Sequence, residues 1–251
     1  MVPITLNKQN IFQWALFGLL EVFRVLKALF TGKGSREKEV TRHIEKNTPK
    51  NNPQAVLKAM DAFATSNRFL MNVGVEKGEV LKHVLETSKT TRALELGAYC
   101  GYSSVLMGEV LKERGGRLVS IEADPTKAGL AARVADHAGL AETVSFKIGK
   151  GKERIPDLKG KFGLVFIDHW KDDYLSDLMS LENRGLLEPD AIIVADNVGI
   201  FSSTLGPYLN YVRNSGRFTS KYYPLPMEYN DAIEDGVEVS YWIAQREQLA
   251  A

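Results

Sequence analysis

The chain has 251 residues, 44% of them hydrophobic, which is enough apolar material for one sizeable α/β core with an appendage. With 32 Lys and Arg against 31 Asp and Glu the formal net charge is +1, so no field of one sign exists to gather nucleic acid, and a small-molecule partner is expected instead. The single cysteine, Cys100, excludes an intrachain disulfide and suits a reducing compartment.

Residues 11–30, IFQWALFGLLEVFRVLKALF, are dense in large apolar side chains yet carry Glu21, Arg24 and Lys27. At helical spacing Gln13, Glu21, Arg24, Lys27 and Thr31 fall on one side, leaving a wide apolar face. Three charges near a bilayer centre cost roughly 7–10 kcal/mol, against about 4–8 kcal/mol gained from the apolar residues, so a central span is marginal. An in-plane helix keeps the charges at the surface while Trp14, Phe17, Phe23 and Phe30 enter the headgroup boundary. Membrane association through residues 11–30, interfacial more than spanning, is therefore the expectation; docking on the chain's own core or on another subunit is the alternative. No small-x-small cleavage site precedes Gly32, which disfavours a signal peptide. Residues 1–36 are thus read as a membrane-associating helix followed by a basic linker, Gly32 to Arg36, and residues 37–251 as the catalytic domain.

Short helices are predicted over 37–45, 53–66 (with Asn51 or Asn52 near its start) and 78–87. Strands are predicted over 93–96, 118–122, 144–148, 162–167 and 191–195, with helices over 103–113 and 125–138 in the first intervals. This alternation implies an α/β fold, a doubly wound, mostly parallel seven-stranded sheet with helices on both faces. Segments 218–223 and 237–244 have no helix between them and predict an antiparallel pair at one edge.

Two polar clusters follow apolar strands. Ile167-Asp168-His169-Trp170-Lys171-Asp172 and Ala195-Asp196-Asn197-Val198 both emerge where open α/β sheets bind ligands. Asp168, Asp196 and Asn197 offer only oxygen, which suits Mg²⁺, and Lys171 stands three residues past the first aspartate, placed to act as a base. Taken singly, either cluster could equally be a turn or a helix cap. The turn Gly97-Ala98-Tyr99-Cys100-Gly101 after the first strand lets backbone N–H groups approach a ligand, but it is not the G-x-G-x-x-G of a dinucleotide fold. Glu95, two residues before the first glycine, suits an amino-bearing ligand, and Glu122 at the end of the second strand is placed to accept from ribose hydroxyls. Together these favour S-adenosylmethionine.

Met71-Asn72-Val73-Gly74, Leu94 to Ser103, Asp168 to Asp172 and Ala195 to Val198 resemble catechol O-methyltransferases in order and spacing, from about residue 38 to residue 243. The resemblance implies Mg²⁺-dependent methyl transfer from S-adenosylmethionine to one hydroxyl of a catechol. It implies Asp168, Asp196 and Asn197 as metal ligands, with Lys171, Glu228 and Asn197 as catalytic residues. Asp231 or Glu234 is the alternative to Glu228. It further implies cofactor contacts from Val73, Glu95, Gly97, Tyr99, Ser103, Glu122, Ala123, Gly149, Gly151, Lys152, Asp168, His169 and Trp170, although Trp170 also reads as a core aromatic. The chain departs from the family at Gly149-Lys150-Gly151-Lys152, where a serine and a glutamine are usual. It departs again at Phe69, Phe201 and Met227, where a tryptophan, a proline and a leucine form the substrate walls. Animal members also occur with an N-terminal membrane segment, a position matched here by residues 11–30. The expected partners are a small catechol and a membrane surface, with the protein a monomer or weak dimer and its catalytic domain cytoplasmic; a soluble cytoplasmic form is the alternative. Rival readings are a cation-dependent enzyme for larger phenylpropanoid or flavonoid catechols and a membrane-anchored cofactor-binding protein without turnover.

Overall fold

The computed structural model describes residues 34–243 and, ahead of them, Gly18 alone. Apart from that glycine, the apolar segment at 11–30 lies outside the described residues. Among the described residues no helix is long and apolar enough to cross a membrane.

Three helices precede the sheet: α1 (Arg36–Asn47), α2 (Pro53–Ser66) and α3 (Gly74–Ser88). Ser35 and Arg36, read from sequence as the end of a linker, instead cap and open α1, with Glu37 and Glu39 in the first turn where the helix dipole favours acids. The side chain of Asn52 accepts from Ala55 N at 2.9 Å and Pro53 takes the first helical position of α2. Helix α3 starts four residues before its expected start, at Gly74, and its buried face is Gly74, Lys77, Gly78, Leu81, Val84 and Leu85. A lysine on that apolar stripe breaks the pattern.

The sheet follows as β1 (Arg92–Leu96), β2 (Arg117–Glu122), β3 (Val144–Ile148), β4 (Phe162–Ile167), β5 (Leu187–Ala195), β6 (Phe218–Met227) and β7 (Asn230–Trp242), in the spatial order β3-β2-β1-β4-β5-β7-β6. The first five strands are parallel; β7 runs antiparallel between β5 and β6. Helices α4 (Tyr102–Glu113) and α5 (Pro125–His137) sit where expected. The short α6 (Gly151–Arg154), α7 (Tyr174–Asn183) and α8 (Gly206–Asn214) complete the set. Strand β4 is buried along its whole length, as a central parallel strand covered on both faces must be. Its alternate residues serve two cores: Leu164 and Phe166 pack on the side of α1 to α5, and Val165 and Ile167 on the side of α7 and α8.

Chain order reverses between β1 and β4, so a crevice opens at their C-terminal ends. Register aligns the exits of three strands, because Leu96 pairs with Ile167 and Ile167 with Ala195. Asp168 N then donates to Leu96 O at 2.8 Å and Asp196 N to Ile167 O at 3.1 Å, which carries the alignment one residue further into the site. Antiparallel β7 adds a fourth element, since Ala195 pairs with Glu238 and brings Asp235 alongside Asn197.

Candidate active site

A cleft of about 590 Å³ opens at these strand ends. Of the residues expected there, Gly97, Tyr99, Glu122, Ala123, Gly149 and Gly151 line it from the β1, β2 and β3 exits, and Asp168, His169, Trp170, Lys171, Asn197 and Glu228 from the others. Trp170 is 65% exposed at the rim, which excludes the core-aromatic reading. Phe69, Phe201 and Met227 also line the cleft, with Phe69 and Met227 packed on Ile200 and Ile233. Val73, Glu95, Ser103 and Asp196 are buried outside its wall, and Lys152 is exposed outside it.

Gly97 makes the crevice narrow. It holds φ +99°, and a Cβ there would run into the carbonyl of Asp168, so only glycine lets the β1 and β4 exits come this close. Behind it Glu95 is fully buried, its Oε2 taking the hydroxyls of Ser104 and Ser120 while Oε1 has no partner. Burial pushes its carboxyl up to about 7, against the serine hydrogen bonds, and Asp168 adds to the rise. Glu122 is more occupied than sequence suggested. Its Oε2 accepts from Ala98 N and Tyr99 N at 3.1 and 3.0 Å and its Oε1 from Asp124 N at 2.9 Å, so it braces the glycine turn while facing the cleft. A carboxylate has about four acceptor sites, which leaves capacity for a ligand hydroxyl. On the opposite side, a Cβ on Gly151 would occupy the place of the Asp177 carboxylate. His169 Nε2 donates to Asp177 Oδ2 at 2.8 Å, and its ring stacks on Tyr174, centroids 5.2 Å apart.

Lys171 Nζ lies 3.0 Å from Asp168 Oδ1, 2.9 Å from Asn197 Oδ1 and 2.7 Å from the Tyr174 hydroxyl. That hydroxyl in turn donates to Asp196 O at 3.2 Å. Beside this group lies a second one that sequence reasoning missed. Lys77 Nζ sits 2.8 Å from Asp196 Oδ1, 2.9 Å from Glu228 Oε2 and 3.0 Å from Asp235 Oδ2. Lys77 is 1% exposed. Burial opposes its charge, but Asp196, Glu228 and Asp235 together hold it well above the ordinary lysine range. Burial correspondingly pushes the carboxyls of Asp196 and Glu228 upward, against the pull of Lys77.

Among the described residues no group of three or more His, Cys, Asp or Glu side chains is placed to hold a metal ion. The oxygen set here is instead two carboxylates and an amide: Asp168, Asp196 and Asn197. It fits a hard divalent cation on two counts. Lys171 Nζ already bridges Asp168 Oδ1 and Asn197 Oδ1, so the two oxygens converge on one point. The cluster also sets four acidic side chains (Asp168, Asp196, Glu228, Asp235) against two lysines (Lys77, Lys171), an excess of acid that a dication would offset.

The strand order, with one antiparallel strand inserted beside the edge and a glycine turn rather than a pyrophosphate loop after β1, defines the Rossmann-like class I S-adenosylmethionine-dependent methyltransferases. The solved O-methyltransferase of Bacillus cereus, in complex with S-adenosylhomocysteine, shares this fold at a TM-score of 0.65 and 18% identity, covering 81% of this chain and 97% of that one. The sequence profile of the O-methyltransferase family matches residues 48–207. The catechol O-methyltransferase of Mus musculus is 38% identical over 210 residues, 82% of this chain and 78% of that protein. The transmembrane O-methyltransferase of Propithecus coquereli is 33% identical over 191 residues, 74% and 69% of the two chains. The chain belongs to the O-methyltransferase family and is an S-adenosylmethionine-dependent enzyme.

Proposed function

We propose that the enzyme transfers the methyl group of S-adenosylmethionine to one hydroxyl of a catechol in a Mg²⁺-dependent reaction, with residues 11–30 holding it at a membrane. The observation that carries this reading is the convergence of Lys171, Asp168 and Asn197 at one point of the cleft wall, with Glu228 on the same wall. The identity to a catechol O-methyltransferase supports the substrate class, and a relative named as transmembrane supports the membrane part. Asp168, Asp196 and Asn197 would hold Mg²⁺, which when bound favours the ionised catechol oxygen.

The chain's own residues supply the rest. Lys171, aimed by Tyr174, Asp168 and Asn197, takes the proton from the hydroxyl to be methylated. Glu228, with Oε2 on Lys77, accepts from the second hydroxyl through Oε1. Phe69, Phe201 and Met227 wall the ring, and differences in such walls discriminate between substrates by roughly 1–3 kcal/mol. Gly97, Tyr99, Glu122, Ala123, Gly149, Gly151, His169 and Trp170 form the cofactor side of the cleft. One O–C bond forms as one S–C bond breaks. Methyl transfer from labelled S-adenosylmethionine to dihydroxybenzoate, with Mg²⁺ and with excess chelator, tests the reading. Product in the first tube alone is expected, whereas equal product in both would remove the metal, and none in either would remove the catechol.

A further inference from the structure

The lysine on the apolar stripe of α3 is buried against three acids, two of which belong to the reaction proposed above. An ammonium has three protons, and each of the three acids lies within hydrogen-bond reach of Lys77 Nζ: Asp196 Oδ1, Glu228 Oε2 and Asp235 Oδ2. The acids come from three different places in the chain: the end of β5, the turn between β6 and β7, and β7 itself. An arrangement needed only for stability would be served as well by apolar side chains, since a buried ion cluster has little net advantage over them.

The hydrogen bonds beyond the ammonium show what it fixes. Asp196 Oδ1 is ion-paired with Lys77 Nζ at 2.8 Å and accepts from Asn197 N at 2.6 Å, which leaves Oδ2 as the oxygen for a cation. Asp235 Oδ2 accepts from Lys77 Nζ and also from Asn197 Nδ2 at 3.0 Å, while Asp235 Oδ1 takes the Ile200 N–H at 3.0 Å. With its Nδ2 committed to Asp235, the Asn197 amide can turn only Oδ1 toward Asp168 and Lys171, where it is found. Glu228 likewise gives Oε2 to Lys77 and keeps Oε1 for a substrate. One side chain therefore sets which atom of each group faces the chemistry.

We propose that Lys77 is a positioning residue that orients two of the three oxygen donors to the metal, Asp196 directly and Asn197 through Asp235, and in the same grip orients Glu228 for the second catechol hydroxyl. The inference rests on the metal reading given under Proposed function. It assigns Lys77 no contact with substrate, cofactor or metal. Its consequence is that metal affinity depends on a residue outside the coordination shell, as shells that fix ligand orientation elsewhere typically change affinity 10–100-fold.

The test uses Mn²⁺ alone as the probe, its free fraction read by electron paramagnetic resonance on the full chain with S-adenosylhomocysteine bound. The main variant is Lys77→Met with Asp235→Asn, which removes one charge of each sign and so leaves the net charge of the cluster unchanged. Its Mn²⁺ Kd is expected to rise at least tenfold, with S-adenosylhomocysteine affinity within twofold of the parent, because Lys77 touches nothing on the cofactor side. Should that variant fail to fold, Lys77→Gln with Asp235→Asn gives the same readout at the same net charge. Asparagine there cannot accept on both edges, so it either loses Ile200 N or sets its own amide against Asn197 Nδ2 and frees Asn197 to turn. A folded variant whose Mn²⁺ Kd rises less than tenfold overturns the proposal and leaves Lys77 a structural ion pair. If the parent protein itself binds no Mn²⁺, the metal reading falls, and the proposal with it.

Discussion

At the scale of single residues, the site is a set of charges whose neighbours decide their use. Lys171 Nζ is held by three polar atoms at 2.7 to 3.0 Å, and methionine keeps the length of its buried stem while removing them as partners. Lys171→Met is expected to lower kcat at least 10²-fold, the ordinary contribution of a positioned base, while S-adenosylhomocysteine binding by calorimetry stays within a few-fold of the parent. Unchanged turnover would take Lys171 out of the mechanism. Glu95 carries a different signature. Its carboxyl is raised from 4.5 to about 7 by burial, so the folded protein holds a proton that the unfolded chain has released. Stability from this group is therefore fully present below pH 4.5 and lost as the pH climbs through 7, by about 3 kcal/mol if the whole shift is realised. Glu95→Gln keeps an acceptor for Ser104 and Ser120 but cannot ionise. Thermal melts of the cofactor-free protein should show the variant gaining on the parent between pH 5 and pH 8, and a constant difference would contradict the buried-acid account.

At the scale of elements, the aligned exits of β1, β4 and β5 make the site, and only one residue type tolerates their closeness. Gly97→Ala must place a Cβ against the Asp168 carbonyl at a φ of +99° that L side chains rarely adopt. The expected cost is about 2 kcal/mol or more in chemical denaturation, with cofactor affinity falling at least tenfold as Asp168 and His169 shift. A wild-type denaturation midpoint in this variant would show that the two exits are free to part. The same elements show what a sequence can reveal. Asp168 and Asp196 were legible because each ends an apolar strand, and a parallel sheet brings strand ends together whatever the loops do. Strands 144–148 and 162–167 fell at their observed limits, the second a central strand buried throughout and the first the edge strand of the parallel part. Helices α7 and α8 were not read, and neither is opened by a side-chain cap. The expected start of α3 missed Gly74 because Val73 and Gly74 carry no capping side chain. Lys77 and Asp235 left only a faint trace. A lysine at the spacing of Gly74, Gly78 and Leu81 signals a buried cation, but its partners lie about 120 to 160 residues away and only β7's antiparallel register brings Asp235 to it. Asp231 and Glu234, the alternatives weighed for the substrate-side acid, are not among the residues that line the cleft, whereas Glu228 is.

At the scale of the whole molecule, the start of α1 is tied to the walls of the cleft. Three contacts make that tie. Arg68 Nη1 donates to Gly34 O at 3.0 Å, Arg36 Nη1 to Phe69 O at 3.1 Å, and the Tyr99 hydroxyl to Glu37 Oε1 at 3.2 Å. The second braces the Phe69 wall of the cleft and the third braces a residue of the glycine turn, so the start of α1 is part of the site's support although it contributes no lining side chain. Removing residues 1–33 should therefore leave a soluble enzyme with the parent's KM for S-adenosylmethionine and catechol, and should abolish flotation with liposomes, since the apolar face that would enter the headgroup boundary is gone. Removing residues 1–40 deletes Arg36 and Glu37 as well, and is expected to raise the KM for S-adenosylmethionine several-fold even if the protein stays folded. The two truncations separate membrane binding from catalysis. If the shorter deletion precipitated or lost its Tm, residues 11–30 would belong to the core. If both deletions behaved alike in KM, the contacts from α1 to Tyr99 and Phe69 would be incidental to the site.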